Sequence, residues 1–369
     1  MKIAMVGMKG ITLSPGGGGI ENFVQELGVR LVKRGHTVCA YTRPYYEEVR
    51  GKFRGIKLIR LPSINTKHLD TLTHTFLSAA DSLFRTFDIV HFHGVGTALM
   101  TFLPRLTKTK TVLHIHAPDW LMDKWGLGAK MFLKASNYPS AFFPNKVAVV
   151  SRGLQSYYKE RFGINASYIP GGINDCNFRQ ASRILSYGLD QGNFLLFSAG
   201  LRPQKGCHYL IKAFRLLSPE LKLVITGGSQ HSDDYVADLH QLAGDHPNII
   251  FLGFVDDETM AELYSNAFIY VQPSEVEGFS HALQQAMGYG NCIIASAIPP
   301  NIEVLQDHGY YFPINDVKGL VSILSRLIND HSLVTMKKEK ARHYAKEYYN
   351  WNNITINLEK LYYETISPN

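Results

Sequence analysis

The chain opens with a short apolar run, "KIAMVG", and after a glycine-rich interval continues as "IENFVQELGVRLVKRG". Ile20, Phe23, Val24, Leu27 and Leu31 recur there at spacings of three and four, which predicts an amphipathic helix that Gly35 stops. "HTVCAYT", "IKLIRLP", "FDIVHFHG" and "KTVLHIHA" read as further strands. The second half repeats the grammar. "NFLLFSAGL" predicts a strand, "GCHYLIKAFRLLS" a helix, and "LKLVITGG" and "NIIFLGFV" two more strands. "DDETMAELYSNA" predicts a helix with Asp256 or Asp257 as its cap. "FIYVQPS", a helix opened by Glu277, and "NCIIAS" make another strand–helix–strand unit, and "YYNWNNITINLEKLYYETI" a terminal helix. Buried apolar strands alternating with helices predict α/β architecture with doubly wound parallel sheets.

A chain of 369 residues exceeds one ordinary core, so two Rossmann-like domains are expected, residues 1–170 and 171–350, facing across a cleft. The turn-rich stretch "NASYIPGGINDCNFRQASRI" marks the crossing near 165–185, and the last helix, 351–369, is expected to cross back towards the first domain. Open sheets of this kind bind ligands at the carboxyl ends of their strands. The glycine cluster after the first strand, His93, His116, Lys205 and Glu277 all fall at such ends. Two facing sheets would gather all five.

Composition narrows the setting. A hydrophobic fraction of 45% suits a folded globular chain, and no apolar run approaches the ~18–20 residues that span a bilayer. The start is broken by Lys9 and glycines, which reads as a strand and turn rather than a secretion signal. Cys39, Cys176, Cys207 and Cys292 are widely spaced, so a reducing, cytoplasmic setting is the expectation. The net charge of +7 is uneven: residues 1–165 carry 23 Lys/Arg against 10 Asp/Glu (+13), and residues 166–369 carry 15 against 21 (−6). The basic half points to an anionic partner, either a membrane surface or a phosphate-bearing acceptor, unless it is merely a solvated face. "WLMDKWGLGAKMFLK" adds aromatics suited to peripheral membrane contact. No recognition-helix, zinc or RNP-type signature accompanies the charge, so no nucleic acid is expected.

Candidate chemistry sits at the strand ends. "PGGGGIENF" places Gly18 and Gly19 at a helix start, where bare backbone and free N–H groups favour phosphate. The spacing matches neither the dinucleotide nor the Walker fingerprint, and a flexible surface loop is the alternative. Glu21 reads as a helix-dipole partner. His91 and His93, and likewise His114 and His116, are two apart on strands and share a face, so a metal site is weighed. No Asp, Glu or Cys group stands beside them at ligand spacing. The expectation is therefore no metal, with one histidine near a reacting centre and His91 and His114 packed in the sheet. Arg202 and Lys205 follow a strand and can neutralise a leaving diphosphate, or simply occupy a solvated turn. Glu277 and Gln285, eight apart, put a carboxylate and an amide on one side of the expected helix.

Together these stretches resemble the family 4 glycosyltransferases of the GT-B fold. The resemblance covers nearly the whole chain, through "TVLHIHAPDWLMDKWG", "YIPGGIN", "AGLRPQKGCHYLIKAF", "GFVDDETMAELYSNAFIYVQPSEVEGFSHALQQAMGYGNCIIAS" and "GYYFPIND". The N-terminal part is most similar to bacterial polysaccharide and rhamnosyl-type transferases. The resemblance implies retaining, metal-independent sugar transfer from a UDP- or GDP-sugar, with no cofactor required, to a glycan or lipid-linked acceptor in surface polysaccharide synthesis. By position it implies that Gly18 and Gly19 approach the donor and that His116 lies near the anomeric centre. Lys205 would bind the diphosphate and Glu277 the sugar hydroxyls. Gly278, Phe279 and Ser280 would offer N–H groups, and Asp119 and Trp120 would serve the acceptor side or the structure. Two positions depart from the family pattern. Its arginine five residues before the lysine is Gly200 here, leaving Arg202 to supply the charge, and the second acid of its Glu-x7-Glu element, a ribose contact, is Gln285. Those departures keep open a degenerate, non-catalytic partner protein, or a nucleotide-sugar epimerase or hydrolase of the same fold.

Overall fold

The computed structural model describes residues 1–12, 18–66, 69–121, 127–174, 176–217, 220–229 and 232–367. The chain divides into two compact units, Met1–Gly172 with Trp351–Asn369, and Ile173–Asn350. Among the described residues no helix is long and apolar enough to cross a membrane.

The first unit is built on β1 (Lys2–Val6), β2 (Thr37–Thr42), β3 (Lys52–Phe53), β4 (Ile56–Arg60), β5 (Ile89–His93), β6 (Lys110–Ile115), β7 (Lys146–Val149) and β8 (Ser167–Tyr168). Their order in the sheet is β3-β4-β2-β1-β5-β6-β7-β8, parallel throughout except for the antiparallel β3–β4 edge. The central strands are buried on both faces because helices cover both. β5 is buried along its whole length. The helix Gly19–Lys33 turns Phe23, Val24, Leu27 and Leu31 onto this sheet, as the three-and-four spacing predicts. The terminal helix, Trp351–Ile366, joins the same core with Trp351, Ile354, Leu358, Leu361 and Tyr362.

The second unit holds β9 (Phe194–Ser198), β10 (Lys222–Thr226), β11 (Ile249–Gly253), β12 (Ile269–Gln272), β13 (Cys292–Ser296) and β14 (Tyr310–Phe312). They form a wholly parallel sheet in the order β11-β10-β9-β12-β13-β14. One core packs Leu195, Phe197, Ile211 and Phe214 beneath the sheet, and another packs Leu196, Tyr270, Leu283 and Met287 above it. Asp256 caps the helix Asp257–Asn266, its carboxylate accepting from the Thr259 N–H at 2.7 Å. All four cysteines are buried, and none is joined to another in a disulfide.

In each sheet one pair of neighbours marks the place where the winding reverses. In the first unit β1 leads towards β2 and β5 towards β6; in the second β9 leads towards β10 and β12 towards β13. The connections leave in opposite directions there, and the gap over the carboxyl ends is where such sheets receive ligands.

Candidate active site

In the second unit the reversal lies between Ser198, the end of β9, and Gln272, the end of β12. The chain after β9 makes a short turn, Pro203–Lys205, and the chain after β12 runs as a loop to Ser280. The two are stitched together: the Glu275 N–H donates to the Gln204 carbonyl at 2.8 Å. Gly206, with φ +69°, lies so close to this loop that a Cβ would stand 2.0 Å from the Pro273 carbonyl oxygen.

That contact brings Lys205 to Glu277. The ammonium donates to both carboxylate oxygens at 2.7 Å, while Gln272 Nε2 and Ser274 Oγ each donate to Oε1 at 2.8 Å. Tyr270 OH donates to Gln272 Oε1 at 2.7 Å, which fixes the amide's orientation. Oε1 therefore carries three donors and Oε2 one, so Oε2 keeps room for another. Lys205 spends two of its three N–H groups here and keeps one. Glu277 is only 7% exposed, and a carboxylate so buried persists because it is paired and hydrogen-bonded. Arg202 is half-buried beside them. Burial lowers its guanidinium pKa, the Glu277 carboxylate acts in the opposite sense, and its Nε is buried without a partner among the described residues.

The helix after this loop starts later than its sequence suggests. It spans His281–Tyr289 and is capped by Ser280, whose Oγ accepts from the Leu283 N–H at 3.3 Å. Glu277 is thus a loop residue and does not open the helix, because the chain must bend through 273–280 to present it to Lys205. Glu277 and Gln285 consequently do not share a helix face. Gln285 is half-buried and its Oε1 accepts from Cys176 Sγ at 3.4 Å. Gly278 and Ser280 are buried and Phe279 half-buried at the entry to the helix.

In the first unit, His116 follows β6 and its Nε2 lies 3.0 Å from His93 Nδ1, the end of β5. Phe23 packs edge-on against His93, His114 and His116. Burial holds all of His91, His93, His114 and His116 well below the usual histidine pKa, His114 at about 3, so the rings are neutral at pH 7. Gly18 and Gly19 are exposed at the N-terminus of the helix Gly19–Lys33. Gly18 has an ordinary φ of −92°, and a Cβ on Gly19 would meet nothing within 4 Å. No packing demands glycine at Gly19, and its missing side chain leaves open space at the helix start. Glu21 is a structural pin, accepting from the Gly18 N–H at 2.9 Å and the Lys9 N–H at 3.0 Å. Asp119 and Trp120 begin a short turn, and Trp120 stacks obliquely on Tyr157 at 5.1 Å. Residues 122–126 of the aromatic stretch lie outside the described residues.

The structure thus joins Lys205 with Glu277, sets Arg202 close to them, and joins His116 with His93. The sequence reading missed Gln272, Ser274 and Tyr270. Their signal was polarity at the inner end of a strand that is otherwise fully buried. An apolar groove lies elsewhere in the first unit. Pro62, Ile64, Leu72, Phe76, Leu77 and Met100 of the first unit enclose about 560 Å³ of almost wholly apolar surface. It contains none of the residues above.

Comparison with known proteins bears on both units. Residues 17–175 match the family model described as Glycosyltransferase Family 4, and residues 186–348 the model described as Glycosyl transferases group 1. An uncharacterised glycosyltransferase of Methanocaldococcus jannaschii is 26% identical, the alignment covering 93% of this chain and 94% of that protein. A phosphatidyl-myo-inositol mannosyltransferase of Mycolicibacterium smegmatis is 24% identical over 95% of this chain and 91% of its own. Among solved structures, a sucrose-phosphate synthase from Thermosynechococcus elongatus superposes with a TM-score of 0.84 at 20% identity, covering 98% of each chain. The Anabaena protein HepE in complex with UDP-glucose superposes at 0.79 and 18% identity, covering 98% of this chain and 99% of that one.

Proposed function

The chain belongs to the family 4 glycosyltransferases of the GT-B fold, and we propose on that ground that it moves a sugar from a nucleotide-sugar donor to a glycan or lipid-linked acceptor. The donor is UDP- or GDP-linked and the anomeric configuration is retained. The observation that carries this reading is the Lys205–Glu277 pair at the winding reversal of the second sheet. Transfer breaks the bond between the anomeric carbon and the diphosphate oxygen, so negative charge grows on the leaving group. Lys205 and Arg202 meet that charge, in place of a required metal ion or cofactor. Glu277, held rigid by Gln272 and Ser274, takes a sugar hydroxyl on Oε2. Backbone N–H groups of Gly278, Phe279 and Ser280 bind at the helix entry, and Gln285 accepts from the ribose. Gly18 and Gly19 lie against the donor. His116 is a neutral hydrogen-bonding group near the anomeric centre, and Asp119 and Trp120 belong to the acceptor side.

A lipid-linked acceptor, met at the inner face of a membrane during surface polysaccharide synthesis, is supported by two features of the first unit. It carries the excess of basic residues, and its apolar groove exposes Ile64, Phe76 and Leu77 to solvent. The test incubates the protein with UDP- and GDP-sugars and a lipid-diphosphate acceptor, following nucleotide release and the anomer formed. Acceptor-dependent release with a retained anomer is expected. Failure of every donor to bind by calorimetry or to react would sink the reading, and an altered nucleotide sugar formed without acceptor would replace it with an epimerase.

A further inference from the structure

We propose that His91, His93 and His114 form a transition-metal site of three imidazoles inside the sheet of the first unit, taking a divalent cation of the zinc class. His91 and His93 alternate on β5 and so share a face, and the β5–β6 register sets His114 directly beside His93. All three are buried, and each can offer a ring nitrogen such that the three atoms lie within 4.8 Å of one another.

The hydrogen bonds sort the six nitrogens into two sets. One nitrogen of each ring has a partner: His91 Nδ1 lies 2.6 Å from Tyr362 OH, His93 Nδ1 3.0 Å from His116 Nε2, and His114 Nε2 3.0 Å from the Ile169 carbonyl. The other three, His91 Nε2, His93 Nε2 and His114 Nδ1, are buried with no partner among the described residues. A carbonyl only accepts, so the His114 proton sits on Nε2 and its Nδ1 is a bare lone pair. In His91 and His93, a proton on Nε2 would strand a buried N–H, so it stays on Nδ1 and is donated to the tyrosine oxygen and to His116. Three lone pairs are left unused. An imidazole whose outer N–H is held by an acceptor and whose inner nitrogen is bare is the arrangement of a metal-ligating histidine. As packing alone, three buried unmatched nitrogens would be worse than three apolar side chains.

Zinc–nitrogen bonds of about 2.0–2.1 Å place tetrahedral ligand atoms about 3.3 Å apart, and one nitrogen of each ring already lies within 4.8 Å of the others. His91 and His114 now lie nearly parallel, 15° between planes and 5.5 Å between centroids, and rotation about χ2 turns them towards a common ion. An all-imidazole set selects Zn²⁺, Co²⁺, Ni²⁺ or Cu²⁺ over Mg²⁺ or Ca²⁺. Such an ion takes no part in neutralising the leaving diphosphate. It pins β5 to β6 and, by making the His93 N–H a stronger donor, holds His116 in one tautomer.

The experiment uses full-length protein free of any histidine tag, stripped of metal and titrated with Co²⁺. One equivalent with the visible ligand-field bands of tetrahedral cobalt, displaced by Zn²⁺, is expected. X-ray absorption should show three imidazoles. His91→Leu should abolish uptake, Tyr362→Phe should weaken it about tenfold by removing the outer acceptor, and His343→Ala, at an exposed histidine, should leave it unchanged. No cobalt uptake, fewer than three imidazoles in the wild-type spectrum, or uptake lost with His343 and kept without His91 would each overturn the proposal.

Discussion

Glu277 is the residue on which the proposed donor site turns, and its surroundings separate the role proposed for it from that proposed for Gln285. Its carboxylate satisfies Lys205, Gln272 and Ser274 together. Glu277→Gln keeps the volume but leaves the Lys205 ammonium without its counter-charge and asks Gln272 to face a second amide. Removing one partner of a buried pair costs about 3 kcal/mol, which predicts a fall in kcat/KM of more than a hundredfold. Gln285 is a neutral acceptor on a half-buried helix face, with one weak thiol donor already upon it. Gln285→Ala removes about 1 kcal/mol of hydrogen bonding and should raise the donor KM about fivefold with kcat nearly unchanged. Steady-state kinetics on the two variants decides between them. If Gln285→Ala is the more damaging, the roles given to both side chains are wrong.

At the scale of elements, the site depends on how closely the 199–206 turn meets the 273–280 loop, and Gly206 sets that distance. Gly206→Ala places a methyl 2.0 Å from the Pro273 oxygen in a left-handed conformation, so the two loops must part. A loss of about 3 kcal/mol in stability is expected, with a larger fall in activity than stability alone explains because Lys205 leaves Glu277. Denaturant unfolding alongside donor binding checks both; wild-type binding in a destabilised variant would show that the stitch does not position the lysine. The same contact shows why the site was only partly legible. Strands such as "NFLLFS" and "CIIAS" read correctly because parallel strands buried on both faces are continuously apolar. Glu277 was misplaced onto the helix because the local signal ends at a better cap, Ser280, and the loop before it is bent by partners 70 residues away. The histidines show the same limit. Spacing within "HFH" and "HIH" reveals which rings share a face, but that His114 stands beside His93 follows from strand pairing, which no local pattern carries.

At the scale of the molecule, the chain leaves its first unit at Gly172 and returns to it at Trp351, so that unit is closed by residues more than 180 positions downstream of its last strand, which ends at Tyr168. The return is tightly made: a Cβ on Gly172 would lie 2.6 Å from the Trp351 ring, and Glu359 binds Arg34 and His36 at 2.6 Å. Trp351, Ile354, Leu358, Leu361 and Tyr362 are each at most 3% exposed. Five such side chains at 1.5–3 kcal/mol apiece contribute roughly 10 kcal/mol, which equals the whole stability of an ordinary domain. A chain ended at Asn350 should therefore lose the first unit outright. The second should survive, because neither of its cores contains a residue beyond Tyr349. Hydrogen exchange read by mass spectrometry distinguishes the two: amides of β1, β5 and β6 should exchange freely while those of β9, β12 and β13 stay protected. The separated peptide 351–369, added in excess, should restore protection to the first set, since the missing contacts are packing contacts and not a covalent constraint. Protection of β1, β5 and β6 that survives truncation would mean that the terminal helix is an accessory to a core already complete. In that case the histidine cluster, which Tyr362 touches from that helix, would also have to hold its geometry without it.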